Sequence, residues 1–361
     1  MYLERVDLAR VRNLSKISFR PGPGLNILFG ENGSGKSSIL EGIHMLGMGR
    51  SFRTNQAAKV VQSGADSMMG LGCVIEGARK WRVGIERLKD GQARLKVDGE
   101  SVRQLSMVAR RLPIQTLLPN GHMVLEGGPK ERRAVMDWGM FHVEHDYFAA
   151  WDRYRRVLKQ RNASLRLGQG VLGAGDKEWR RLLADAGDRI DEARRRYVDE
   201  IAGVAKDLIA KFLEDERGVS FQYRRGWPAM VSLGEALQAG LGTDSERGFT
   251  GRGPHRADLL LTIGGAPAAD ILSRGQQKMA VAALKLAQVV VLSAAGGSAI
   301  VLVDDLAAEL DRRRRTLLVR WLEELGLQAF ITVIDRGSIE PLLSETTSMF
   351  HVEHGDLHQV V

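Results

Sequence analysis

Cysteine is nearly absent from this sequence: Cys73 stands alone among 361 residues. A single thiol excludes an internal disulfide framework, and its place in the apolar run Leu71 to Ile75 reads as a small buried side chain. Long uninterrupted apolar runs are missing too. The N-terminal stretch MYLERVDLARVRNL carries Glu4, Arg5, Asp7, Arg10 and Arg12, so it lacks the apolar core of a signal peptide. The most apolar segment, Met279 to Ala295, is interrupted by Lys285 and Gln288 and reads as too short to span a bilayer. No membrane is expected as a partner. Histidine is scarce, with eight residues. The string Phe-His-Val-Glu-His occurs twice, at 141–145 and 350–354, but no cysteine or further histidine supports a metal site there.

Acidic residues are outnumbered. Lys and Arg total 52 against 44 Asp and Glu, a formal charge of +8, which favours a polyanionic partner. The hydrophobic share of 44% supports a well-buried core, and the length suits about two domains.

Along the chain, residues 1–29 alternate apolar and polar positions and end in the buried strand Leu25 to Phe29, which feeds a glycine-rich turn. From Val60 to Val102, short apolar runs are separated by Glu76-Gly77, Asp90-Gly91 and Asp98-Gly99, dipeptides that favour antiparallel hairpins. A short strand is predicted through Leu112 to Leu118. The middle is helical, from about Tyr147 to Leu167 and from Asp176 to Glu216, with a glycine-rich break between. In the second helix the apolar positions from Trp179 to Phe212 recur at steps of three and four, one stripe on a helix about 60 Å long. After Gly253-Pro254-His255 an α/β pattern returns: a strand at Leu259 to Ile263, a helix from Gln276, a strand at Ala299 to Val303, a helix from Asp311 and a strand at Ala329 to Ile334. The fold class is therefore α/β, with a nucleotide-binding domain in two pieces, 1–110 and 250–361, split by a mainly helical arm domain over 111–249.

Three strings carry the chemistry. Gly30-Glu31-Asn32-Gly33-Ser34-Gly35-Lys36-Ser37 fits G-x-x-x-x-G-K-[ST] between a strand and a helix. Its glycines let backbone N–H groups wrap a phosphate, Lys36 neutralises phosphate oxygens and Ser37 ligates Mg²⁺. Gly30, Asn32, Gly33, Gly35, Lys36, Ser37 and Ser38 are the ATP-binding candidates. Leu272-Ser273-Arg274-Gly275-Gln276-Gln277-Lys278 opens a long helix and either caps it or offers Ser273 and helix N–H groups to an anion. Ile300 to Val303 is an apolar strand ending in Asp304 and Asp305. Asp304 suits the Mg²⁺ shell and Asp305 the attacking water, although two acids there could also cap a helix.

These strings together resemble the ABC ATPases, in the branch shared with SMC proteins. More closely, GENGSGKSSILEGIHMLGMGRSFRT (30–54), GGPKERRAVMDWGMF (127–141), LKQRNASLR (158–166), GPHRADL (253–259) and FHVEHG (350–355) resemble the RecF family of bacterial recombinational repair. The resemblance implies an ABC-type head with an antiparallel β subdomain. It also implies an ATP-dependent homodimer in which Ser273, Gly275 and Gln276 contact the ATP held by the partner. Gln115 matches the glutamine that contacts Mg²⁺ and water, although a buried structural role fits its sequence context equally, and Asp311 matches the D-loop aspartate. Arg274 stands where the common signature has glycine, and Asp305 where it has a catalytic glutamate, so slow hydrolysis is expected.

The family further implies binding of double-stranded and gapped DNA near strand junctions, RecR and RecO as partners in loading RecA, and a cytoplasmic, nucleoid-associated place. Arg50, Arg53, Arg155, Arg156 and Lys159 are candidate DNA contacts, the last three within a basic run, Arg153 to Arg166, opposed only by Asp152. A transporter ATP-binding subunit is disfavoured by the arginine-rich helical insert. An SMC-type structural clasp is disfavoured because an arm of about 70 residues is short for sustained heptads.

Overall fold

A computed structural model of the protein describes residues 1–102, 104–144, 146–168, 174–213, 218–306, 310–340, 343–344 and 346–360. The chain divides into two compact units, Met1–Gly121 with Leu292–Val361, and His122–Val291.

The first unit holds two six-stranded sheets. One is antiparallel, in the order β2-β1-β4-β5-β6-β7, from β1 (Tyr2–Val11), β2 (Leu14–Phe19), β4 (Ser67–Glu76), β5 (Arg79–Leu88), β6 (Ala93–Val97) and β7 (Glu100–Val102). Its turns contain the predicted acid-glycine pairs. At Asp98 and Gly99 both residues take positive φ, 52° and 90°, as a two-residue hairpin turn requires.

The other sheet runs β15-β14-β3-β13-β12-β8, from β3 (Leu25–Phe29), β8 (Ile114–Leu117), β12 (Ile300–Val303), β13 (Ala329–Val333), β14 (Ser348–Glu353) and β15 (Asp356–Val360). All its pairings are parallel except β14 with β15. Every residue of β12 and β13 is buried, which is why these strands read as unbroken apolar runs.

Helix α1 (Lys36–Met48) packs against strands of both sheets, and only Ser37 and Met48 escape full burial. Small residues allow that approach. A Cβ on Gly42 would lie 2.5 Å from Leu8 Cδ1, and one on Gly47 would lie 2.5 Å from the Leu112 carbonyl oxygen. Helices α2 (Leu105–Arg111) and α11 (Arg312–Glu324) complete the unit.

The second unit contains α3 (Met123–Glu126), α4 (Pro129–Val143), α5 (Tyr147–Arg166), α6 (Ala174–Leu213), α7 (Leu233–Ala239), α8 (Leu241–Arg247), α9 (Ala268–Ile271) and most of α10 (Arg274–Ala294). It also holds a three-stranded sheet of β9 (Val219–Arg224), β10 (Asp258–Ile263) and β11 (Ala266–Pro267). The predicted stripe on α6 is its buried face, with Leu183, Ile190, Tyr197, Ile201, Leu208 and Phe212 all nearly inaccessible. The predicted end of that helix at Glu216 lies outside the described residues.

Residues 250–291, expected with the nucleotide domain, group here instead. β10 pairs along its whole length with β9, and Arg132 of α4 grips Asp258 through two bonds of 2.7 and 3.0 Å. α10 is 21 residues long and is apolar enough to cross a membrane, contrary to the expectation that this segment is too short, but most of it is buried within the protein. A core helix meets the same requirement.

Two arginines at the centre of this unit are fully buried. Arg161 of α5 donates to Asp176, Asp244 and Thr250 at 2.7–2.9 Å. Arg194 of α6 donates to Asp137 at 2.7 Å and to the Pro254 carbonyl at 2.8 Å, with its guanidinium over the Trp151 ring. Arg161 therefore leaves the basic run in which the sequence placed it.

Replacing Arg161 with alanine strips the buried Asp244 of its paired charge and leaves the buried Asp176 with Arg180 alone, so unfolding should become easier by about 3–5 kcal/mol. Chemical denaturation followed by circular dichroism measures this. A loss under about 1 kcal/mol would mean that solvent already screens the cluster.

Candidate nucleotide site

β3, β13 and β12 lie side by side and parallel, so their carboxyl ends meet at one edge of the sheet, where ligands of open α/β sheets bind. The phosphate loop leaves β3 there, Asp304 and Asp305 leave β12, and Thr332 stands near the end of β13.

The loop is fixed by its surroundings. Gly30 has φ 149°, and a Cβ there would lie 2.2 Å from the Val352 carbonyl oxygen, so no other residue fits. Asn13, in the turn between β1 and β2, donates from Nδ2 to the Gly33 carbonyl at 3.1 Å and accepts the Ser38 hydroxyl at 2.8 Å. Gly33 and Asn32 face solvent, while the buried Ser34 hydroxyl has no partner among the described residues. Lys36 Nζ folds back to donate to the carbonyls of Gly30 and Glu31, at 2.6 and 2.7 Å. Desolvation holds its ammonium below the usual lysine range, partly offset by the attraction of Asp305 and Asp304. An incoming phosphate would supply the anion that this cation and the unpaired Ser34 hydroxyl call for.

The Ser37 hydroxyl donates to Asp304 Oδ1 at 2.8 Å, and Thr332 Oγ1 donates to the same oxygen at 2.9 Å. Neighbouring ligands of an octahedral Mg²⁺ at 2.0–2.1 Å lie about 2.9 Å apart, so Ser37 Oγ and Asp304 Oδ1 fit two of its positions. The low protein-ligand count suits Mg²⁺, which keeps waters and phosphate oxygens for the rest. Thr332 also accepts the Asp305 amide at 2.7 Å. Asp305 takes a left-handed backbone, φ 53°, a strained conformation of the kind that concentrates at functional sites.

Other sequence candidates are placed as follows. Gln115 is buried in β8 opposite Val301, so the register sets it three residues, about 10 Å, back along the strand direction from Asp304. Its Oε1 accepts the Thr116 amide at 3.0 Å. Asp311 caps α11, accepting the Arg314 amide at 2.9 Å, and that bond holds its carboxyl below the usual range.

Ser273 and Gln276 form reciprocal bonds at the start of α10. The Ser273 amide donates to Gln276 Oε1 at 3.0 Å, and Ser273 Oγ accepts the Gln276 amide at 3.4 Å. Ser273 is exposed and Gly275 half-buried. Arg50, Arg53, Arg155, Arg156 and Lys159 are all exposed, with Arg156 paired to Asp152 at 3.0 Å. Among the described residues, no cluster of three His, Cys, Asp or Glu could hold a metal, and His351 instead stacks on Phe29.

Two contributors escaped the sequence reading. The signal for Thr332 is a lone hydroxyl in the otherwise apolar strand AFITV. Asn13 had no signal of its own, because its partners lie 20 and 25 residues away.

The family model described as RecF/RecN/SMC N terminal domain matches residues 2–358. The chain is 43% identical to the DNA replication and repair protein RecF of Stutzerimonas stutzeri (strain A1501), over 100% of this chain and 98% of that one. It is 42% identical to the protein of the same name from Chromohalobacter salexigens, over 99% of each. The chain belongs to the RecF family. Its fold matches a solved structure of the recombination mediator protein RecF-ATP in the RecFOR pathway with a TM-score of 0.89 at 24% identity, over 100% of this chain and 98% of the other. An SMC head bound to the C-terminal winged-helix domain of ScpA matches less closely, with a TM-score of 0.59 at 15% identity over 100% and 97% of the two chains. The ABC/SMC-like fold class expected from the sequence is thus that of the RecF family.

Thr332→Val keeps shape and β-propensity but removes the hydroxyl that orients Asp304 and caps the Asp305 amide. Mg²⁺-dependent ATP binding should weaken roughly tenfold or more, about 1–3 kcal/mol, with nucleotide binding in EDTA little changed. Calorimetric titration with and without Mg²⁺ separates the two, and an equal loss in both would make Thr332 merely structural.

Proposed function

We propose that this RecF-family chain is an ATP-dependent DNA-binding protein of recombinational repair, in which nucleotide binding closes a homodimer on double-stranded DNA. The observation that carries the nucleotide half is the convergence of Ser37 and Thr332 on Asp304 beside a phosphate loop that presents Lys36. In this reading Lys36 exchanges its two carbonyl partners for phosphate oxygens. Ser37 and Asp304 hold Mg²⁺, which when bound supplies charge neutralisation between the phosphates. Asp305 accepts the proton of the attacking water, with its backbone fixed by Thr332. Being one methylene shorter than glutamate, it reaches the water less well, so turnover is slow.

The dimer half is supported by the exposed start of α10. Ser273, Gly275 and Gln276 present a hydroxyl and helix N–H groups to the open side of an ATP held by a second copy. Asp311, capping α11, is the D-loop aspartate of this reading.

DNA as partner is supported by the formal charge of +8, by exposed Arg50, Arg53, Arg155, Arg156 and Lys159, and by relatives named for DNA replication and repair. Gapped DNA, with binding near single-strand/double-strand junctions, and RecR and RecO as partners in loading RecA complete the reading. They rest on family membership and on a fold shared with a RecFOR-pathway mediator. A cytoplasmic, nucleoid-associated location follows from that role.

Sedimentation and DNA binding with and without ATP test the proposal. ATP should convert monomer to dimer and tighten DNA binding; affinity indifferent to nucleotide removes the clamp. Asp305→Asn should retain ATP but not deprotonate water, so the ATP-bound dimer should persist on DNA while hydrolysis falls by roughly 10²-fold or more. Hydrolysis at the parental rate would place the base elsewhere. Ser273→Arg should leave ATP binding by the isolated subunit intact and abolish dimer closure, whereas loss of nucleotide binding by the monomer would assign Ser273 to its own loop.

A further inference from the structure

The second unit carries a concave basic site that the nucleotide chemistry does not use. A cavity of about 680 Å³ is lined by Arg195, Arg224, Arg225 and Arg256, together with Tyr223 and Trp227. Asp258 also reaches its wall but is bound on both oxygens by Arg132, so it does not neutralise the cavity. Arg195 is paired with Asp191 at 2.9 Å and is half spent.

Arg225 forms the floor. Its Nη2 donates to the carbonyls of Ala229 and Val231 at 2.9 and 2.6 Å, and its guanidinium lies 4.6 Å from the Trp227 ring centroid. Those contacts lock the side chain, yet Arg225 Nε and Trp227 Nε1 are buried with no hydrogen-bond partner among the described residues. A buried donor left unmatched is costly, and an acceptor seated against these two, with a small shift of the cavity wall, would relieve that cost. Neither an arginine nor an indole accepts a hydrogen bond. The ligand must therefore bring several acceptor oxygens and negative charge.

At the rim, Arg224 and Arg256 are exposed. Among the described residues Arg224 bonds Gln222, its neighbour two residues back, and Arg256 stacks on the Phe249 ring. Both keep N–H groups for a ligand. Trp227 is buried and covered by Arg225, so its ring is closed to flat stacking of a base, while the four arginines favour a phosphate.

We infer that this cavity seats a backbone phosphate of DNA, held without regard to sequence by Arg225, Trp227, Arg224 and Arg256. The assignment rests on the DNA-binding reading above and gives it a fixed anchor point away from the α5 face.

The test uses the full chain with ATP and Mg²⁺ and follows fluorescence anisotropy of a labelled duplex with a single-stranded tail across a salt series. Arg224→Glu with Arg256→Glu alters two exposed side chains, so ATP binding measured alongside should match the parent. DNA affinity should fall roughly tenfold or more, and the slope of log K against log salt should become shallower by about 0.9 for each phosphate that the variant no longer neutralises. Lysine at both positions should restore the slope. If the parent binds DNA and the double variant binds it with unchanged affinity and slope, the cavity assignment falls while the DNA-binding reading stands. If the parent binds no DNA in any nucleotide state, both fall. Binding of millimolar inorganic phosphate that the double variant loses, with no competition between phosphate and DNA at constant ionic strength, would assign the cavity to a free phosphate and overturn the DNA assignment.

Discussion

Two hydroxyls converge on one oxygen of Asp304, from Ser37 at 2.8 Å and from Thr332 at 2.9 Å. That convergence depends on three parallel strands ending in step. β3 delivers the loop that precedes Ser37, β13 delivers Thr332, and β12 delivers the carboxylate. The neighbouring strand joins through the Asp304 amide, which donates to the Leu117 carbonyl at 3.0 Å. A slip of one residue in any pairing would turn its side chain to the other face of the sheet. The fully buried β12 and β13 make such a slip expensive, because it would disturb packing on both faces at once. Core packing and the placement of the Asp304 carboxylate are thus one constraint.

The phosphate loop is held from its far side by the C-terminal hairpin. β14 pairs in parallel with β3, and the turn into β15 brings the Gly355 amide to the Ser34 carbonyl at 2.8 Å. Gly355 is itself confined, since a Cβ there would lie 2.6 Å from the Asn13 carbonyl oxygen. The second copy of Phe-His-Val-Glu-His lies here, with Phe350 and Val352 in the core and His351 against Phe29. The first copy behaves differently. Phe141, His142 and Val143 end helix α4, and His145 lies outside the described residues. The same letters form a helix end in one place and a strand in the other, so partners rather than local propensity decide their structure.

What could be read from sequence follows from that distinction. Local signals were enough for the phosphate loop, the hairpin turns at Glu76-Gly77 and Asp98-Gly99, the stripe along α6 and the carboxylates closing β12, because each pattern is complete within a few turns of chain. Thr332 and Asn13 were not legible as site residues, since their roles exist only once β13 and the β1–β2 turn are placed beside the loop. β9 was missed as well: its alternation from Val219 to Arg224 is short, and its pairing with β10 is what draws residues 258–263 into the second unit. Gln115 is a motif position whose strand register sets it three residues back from Asp304.

Charge composition required the structure before it could be interpreted. A formal +8 overstates a basic surface if the counted arginines are buried, and two of them are: Arg161 and Arg194 are inaccessible to solvent. Arg161 takes two acids inside with it, Asp176 and Asp244, while Arg194 bonds the partly exposed Asp137, so burial of these groups withdraws as much negative charge as positive. Among the described residues, burying these arginines does not consume the basic excess. Exposed charge of one sign draws a polyanion in over roughly a Debye length but does not fix where it sits. A fixed seat needs donors held rigidly and partly out of water; Arg225, anchored by two carbonyls, is held in that way, whereas the exposed side chains of α5 are not.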